Sequence, residues 1–173
     1  MHIVKRDFVA IFAASVFLLA FLIFLVFYSG QEDNLQPLGY NHKIHVDNVG
    51  LECKDCHRHV EDMAAATIPT LDVCAGCHTD EPFSESPEEK KLLKYIAEGS
   101  EIPWKEIYNV PDHVYFSHRR HVIGGELECS ACHGNVGGFT RPVSSEFIPV
   151  TMENCMDCHK QHQVTNDCLA CHR

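Results

Sequence analysis

The chain has 173 residues, 10 cysteines, 13 histidines and a formal net charge of −10. That acidic excess disfavours a nucleic-acid ligand, whose phosphates call for Lys and Arg. So many cysteines and histidines in a chain this short point to cofactor or metal chemistry.

In chain order, the first predicted element is an apolar run, Phe8 to Tyr28, 21 residues without a charge. At 1.5 Å per residue it reaches about 31 Å, enough to cross the hydrocarbon core. Lys5 and Arg6 precede it, and Glu32 and Asp33 follow. The positive-inside rule then puts the N-terminus in the cytoplasm and the rest outside, in the periplasm of an inner membrane. A cleaved signal peptide would have a shorter apolar region and an Ala-x-Ala-like site. Here the run is longer and "YSGQEDN" is a poor site, so residues 1–30 read as a retained single-pass anchor. His2 lies before the anchor and is assigned no role. Residues 31–40 read as a linker.

Residues 41–82 form a two-haem unit, because Cys-x-x-Cys-His occurs in them twice, as Cys53-Cys56-His57 and Cys74-Cys77-His78. This is the c-type haem attachment sequence. Two thiols one helical turn apart reach the two vinyl groups of one porphyrin, and the following His lies under the iron as proximal ligand. Residues 83–116 hold a helix and a connector. "SPEEKKLLKYIAEG" has Ser86 as N-cap, Pro87 at the first helical position, Glu89 placed for a capping box and Gly99 as stop. Its Leu92, Leu93 and Ile96 make a packing stripe. "IPWKEIYNVPDHVYF", residues 102–116, is aromatic and interrupted by prolines, and is expected to wrap a haem or lie on a neighbour. Residues 117–173 form a three-haem unit with motifs Cys129-Cys132-His133, Cys155-Cys158-His159 and Cys168-Cys171-His172. Between them "SSEFIPVT" reads as a short strand or an extended loop.

All 10 cysteines are used by these five motifs. A disulfide framework would not require His after each second cysteine. Structural zinc would take Cys-x-x-Cys pairs in twos, and five pairs leave one unmatched. A thioredoxin-like dithiol needs one pair only. The 145 residues beyond Tyr28 are few for five porphyrins, so the haems themselves should form the core, with sparse regular structure around them.

Seven histidines lie outside the motifs and the anchor: His42, His45, His59, His113, His118, His121 and His162. Five haems need five distal ligands, so supply exceeds demand by two. His42, His45, His59, His118, His121 and His162 are the distal candidates; His113 reads first as a surface or hydrogen-bonded residue, and the remaining distal ligand is left between His45, His113 and His121. The surplus leaves open a sixth, non-covalent haem. Met63, Met152 and Met156 read as packing rather than ligands. Two histidines per iron make closed, low-potential sites suited to electron transfer and not to catalysis. One segment occurs twice: "NHKIHVDNVGLECKDCH" and "SHRRHVIGGELECSACH". In each copy the first His of His-x-x-His is expected to cross over the haem of its own motif. The second, one turn on, points away and serves another haem.

These segments resemble the opening of class III cytochromes c, the c3 and c7 type, a fold of short helices and irregular chain packed around haems. The resemblance covers residues 41–78 and 112–173. It implies that His42 pairs with His57 and His118 with His133. It also implies that His59 serves the haem of His78, that His162 serves the haem of His172, and that His159 takes His121 or His45. With the single anchor, five motifs and the Pro-Trp…Pro-Asp-His-Val-Tyr-Phe-Ser-His connector, the chain looks like the membrane-anchored multihaem subunits of alternative complex III and of menaquinone reductase complexes. That implies an electron-carrier subunit rather than an enzyme in its own right. It implies three partners: an integral membrane quinone-binding subunit, an iron–sulfur subunit of molybdopterin-enzyme ancestry, and a soluble periplasmic cytochrome. The alternative is a self-sufficient quinol dehydrogenase feeding a periplasmic reductase. That arrangement keeps its first haem at the membrane surface, whereas Cys53 lies 25 residues beyond Tyr28. An enzyme with a reactive haem would need an open iron site, which the histidine surplus opposes.

Overall fold

The computed structural model describes residues 12, 14–25, 36–79 and 81–172. The chain divides into two units, Met1–Leu35 and Gln36–Arg173. In the first unit residues 14–25 are helical, with their apolar side chains exposed. The Ser15 hydroxyl donates back to the Phe12 carbonyl at 2.8 Å, satisfying a polar side chain within the helix. Among the described residues no helix is long and apolar enough to cross a membrane. Residues 8–11, 13 and 26–28 of the expected span lie outside the described residues, as do His2, Lys5, Arg6 and linker residues 31–35.

The second unit is built of short helices. These are α1 (Cys53–Cys56), α2 (Leu71–Ala75), α3 (Pro87–Glu98), α4 (Ser130–His133), α5 (Met152–Gln161) and α6 (Cys168–Cys171). Two π-helical turns, Ile44–Val49 and Arg120–Gly124, occupy the same place in the two repeated segments. A π turn is uncommon and widens the helix at functional positions. Among the described residues there is no strand, only a bridge between Val114 and His172. Residues 144–151 are loop, the second of the two expected forms.

The longest helix, α3, starts and stops where its sequence indicates. Ser86 accepts a hydrogen bond from the Glu88 N–H at 3.3 Å, and Pro87 sets the first turn. Gly99 ends it at φ 61°, donating to the Ile96 and Tyr95 carbonyls. That left-handed cap is open to Gly without steric cost. The capping box expected at Glu89 does not form. The Glu89 carboxylate instead takes the N–H groups of Phe83 and Ser84, at 2.8 Å each. A reciprocal box forms at α1, where Asp55 accepts from the Glu52 N–H at 2.7 Å.

The apolar core is small. Leu38, Leu71, Leu92 and Ile102 are buried together, with Cys74, Tyr95, Ile96 and Trp104 packed against them. The stripe on α3 therefore packs on protein, and α2, which carries Cys74, is held by the same cluster. Fully burying a Leu contributes roughly 1.5–3 kcal/mol. Outside this cluster only Val60 and Glu89 are buried among the described residues.

Candidate haem sites

Each motif is wound as one turn, and the turn places its three functional side chains. The His57 N–H donates to the Cys53 carbonyl at 2.9 Å and the His78 N–H to the Cys74 carbonyl at 2.9 Å. His133 does the same to Cys129 at 3.0 Å, and His172 to Cys168 at 2.8 Å. In the fourth motif all three residues lie within α5. None of the ten cysteines is in a disulfide, so the thiols are available for thioethers.

Beside four of the five motif histidines stands a histidine ring from outside the motifs. Ring centres of His45 and His78 are 6.3 Å apart, those of His118 and His133 6.3 Å, and those of His121 and His159 6.1 Å. His113 faces His172 at 5.6 Å with the planes 13° apart. His42 neighbours His57 closely enough to disfavour its own protonation. Burial first, then the charges of His57 and His45, brings the His42 pKa down to about 4. Metal–imidazole bonds are about 2 Å, so two rings on opposite sides of one iron have centres roughly 6 Å apart. The pairs therefore fit a bis-histidine haem.

The structure brings together His118 with His133 and His121 with His159, and the charge of His57 is felt at His42. It does not bring His59 to His78 or His162 to His172. His59 is exposed and lies 3.5 Å from Asp62. His162 is exposed at the C-terminus of α5, its N–H bonded to the Cys158 carbonyl at 3.0 Å. Both follow their motif so closely that their rings remain at the end of its turn. His45, by contrast, is carried toward His78 by the first π turn. His113, which sequence left as the weakest of the possible ligands, reaches His172 because residues 114–115 run alongside the last motif. There the Tyr115 N–H donates to the Cys171 carbonyl at 2.7 Å.

Two aromatic rings escaped the sequence reading. Tyr40 packs edge-on to His42 at 4.7 Å and stacks on His45 at 4.6 Å. Phe116 repeats both contacts with His118 at 4.9 Å and His121 at 4.8 Å. One ring thus holds both histidines of a His-x-x-His in divergent directions. The signal was present, an aromatic residue two positions before each repeat's first His.

Hydrogen bonds set the ring tautomers. The Nδ1 atoms of His45, His57, His118, His121 and His159 lie 2.8–3.0 Å from the carbonyls of Asn41, Thr67, Ala64, Ser117 and Thr165. A carbonyl only accepts, so Nδ1 carries the proton and Nε2 keeps its lone pair for iron. Thr67 holds its carbonyl on His57 from a φ of 60°, a conformation a β-branched residue rarely adopts. His78 differs, donating to a Glu89 carboxylate oxygen at 3.0 Å.

The thiols show which sites adjoin. Burial, then neighbouring charge including Cys77, raises Cys56, and burial followed by Cys56 raises Cys74. Burial and then Cys53, to which it is hydrogen-bonded, raise Cys129. Burial, then Cys158 and Cys155, raises Cys132. Burial, then Cys171, raises Cys155.

Residues 38–92 and 114–173 match the family described as cytochrome c7 and related cytochrome c. The chain belongs to that family and is a multihaem electron-transfer cytochrome c. It is 33% identical over 175 residues to the menaquinone reductase, multiheme cytochrome c subunit, of Nitratidesulfovibrio vulgaris strain Hildenborough. The alignment covers 84% of this chain and 79% of that protein.

Proposed function

We propose that this chain is the electron-relay subunit of a membrane quinone oxidoreductase complex and carries five covalent c-type haems. The carrying observation is that four of the five motif histidines have a histidine ring from outside the motifs 5.6–6.3 Å away, centre to centre. On this reading the axial pairs are His42–His57, His45–His78, His118–His133, His121–His159 and His113–His172. His59 and His162 hold no iron, and no sixth haem is required. Haem supplies reversible one-electron chemistry when bound. The chain's own residues attach it through thiols, fill both axial positions and so exclude small-molecule ligands from the iron.

The thiol neighbours support one continuous row: second site, first, third, fourth, fifth. The first two sites belong to residues 41–82 and the remaining three to residues 117–173. A relay of this kind needs a donor and an acceptor. The relative's name supports a menaquinone-linked complex. The partners are an integral membrane quinone-binding subunit, an iron–sulfur subunit of molybdopterin-enzyme ancestry and a soluble periplasmic cytochrome. The uncharged run Phe8–Tyr28 after Lys5 and Arg6 supports a single-pass anchor in the inner membrane with the haem-bearing unit in the periplasm.

The test is composition. The protein, extracted from its native membrane in mild detergent and purified by a C-terminal tag, should bring a multispanning quinone-binding protein and an iron–sulfur protein at stoichiometric yield. Recovery of the chain alone, still reduced by menaquinol, would overturn the complex and favour a self-sufficient quinol dehydrogenase.

A further inference from the structure

Glu89 is the one buried charged residue among those described, 8% exposed. It receives the Phe83 and Ser84 N–H groups, the Ser84 hydroxyl at 2.6 Å and His78 Nδ1 at 3.0 Å. Every one of these partners donates to the carboxylate, the pattern that suits its charged form. Among the described residues its ion-pair partner is His78 and no Lys or Arg. Its position is fixed, because Pro87 and the Ser86 cap anchor the first turn of α3. Of the six Nδ1 hydrogen bonds described for the paired histidines, five end on neutral carbonyls and one on this carboxylate.

We propose that Glu89 is a tuning residue: its carboxylate draws on the Nδ1 proton of His78 and lowers the reduction potential of the haem attached at Cys74 and Cys77. A carboxylate behind a ligating imidazole raises the basicity of the ring. A stronger donor and a nearby negative charge both favour ferric over ferrous iron. In the row of sites this one stands at an end, so Glu89 makes an end haem the better electron donor.

The inference rests on reading His78 as a haem ligand, and the experiment separates the two. The measurement is a redox titration of the intact holoprotein, followed by visible and EPR spectra. Glu89→Gln keeps the volume and removes the charge. At a fixed solution potential the reduced-to-oxidised ratio of one haem should rise about tenfold, about 59 mV for one electron. Ser84→Ala removes a competing donor and leaves the charge, so the same midpoint should fall. A merely structural role would move both variants in one direction. All five midpoints unmoved by Glu89→Gln, or both variants shifting the same way, overturns the proposal. If Glu89→Gln fails to load the second haem, Ser84→Ala decides: a fall supports the proposal, and no change or a rise overturns it. Failure of the ligand reading looks different, since the unaltered protein would then show a high-spin second site.

Discussion

Replacing His113 by Ala removes the ring that faces His172 at 5.6 Å. The backbone that positions it uses other groups. The Tyr115 N–H bonds the Cys171 carbonyl at 2.7 Å, and the Val114 N–H bonds the Pro111 carbonyl at 2.8 Å. Alanine keeps both, so the variant should fold and attach haem at all five motifs. One of the five distal axial positions then loses its ligand, since the chain has five motifs and each haem takes one distal histidine. The low-spin EPR intensity should fall by a fifth, and a high-spin signal that responds to carbon monoxide on reduction should appear. His162→Ala is the control. Its side chain is exposed, so the low-spin count should hold and stability should change by no more than about 0.5 kcal/mol. A His113 variant with its full low-spin complement would refute the reasoning, as would a His162 variant that loses a fifth.

His45→Ala should convert one haem to high-spin and His59→Ala none; optical spectra of the reduced proteins with carbon monoxide check both, and the opposite pattern would restore His59 as the ligand at His78. Phe116→Ala removes the ring against both His118 and His121. It should cost about 1–2 kcal/mol in a denaturant melt and broaden the EPR signals of two haems, whereas sharp unchanged signals would deny Phe116 an orienting role. Gly99→Ala puts a side chain at φ 61° with nothing within 4 Å of the added carbon. Its cost should be backbone strain alone, about 1 kcal/mol, and a neutral result would show that α3 does not need this cap.

The motifs, the short helices and α3 from Ser86 to Gly99 were legible in the sequence because each is a local pattern, complete within a dozen residues. The partners proposed for His57, His133 and His159 were legible in part, through the repeated His-x-x-His segment, whereas those proposed for His78 and His172 were not, because they are tertiary. His59 and His162 attract attention by closeness along the chain, yet both are exposed and neither ring stands against His78 or His172. His45 reaches His78 through a π turn that no pattern of apolar residues announces. His113 reaches His172 through backbone pairing with Cys171, 56 positions away from Tyr115. It also stands in the stretch 93–113, between the two family-matched segments. The Glu89 contact was hidden differently. Its spacing from Ser86 fits a capping box, and the local rule gives no sign that a loop histidine and two loop N–H groups compete for the same carboxylate.

The most direct test of five bis-histidine haems is to count haem and spin state together on one sample. The haem-to-chain ratio would come from the pyridine haemochrome with intact mass, and the spin state from EPR. Five haems per chain, all low-spin and unchanged by carbon monoxide, is the result this account predicts from the five motifs. A sixth haem, a count below five, or a high-spin fraction in the unaltered protein would contradict it.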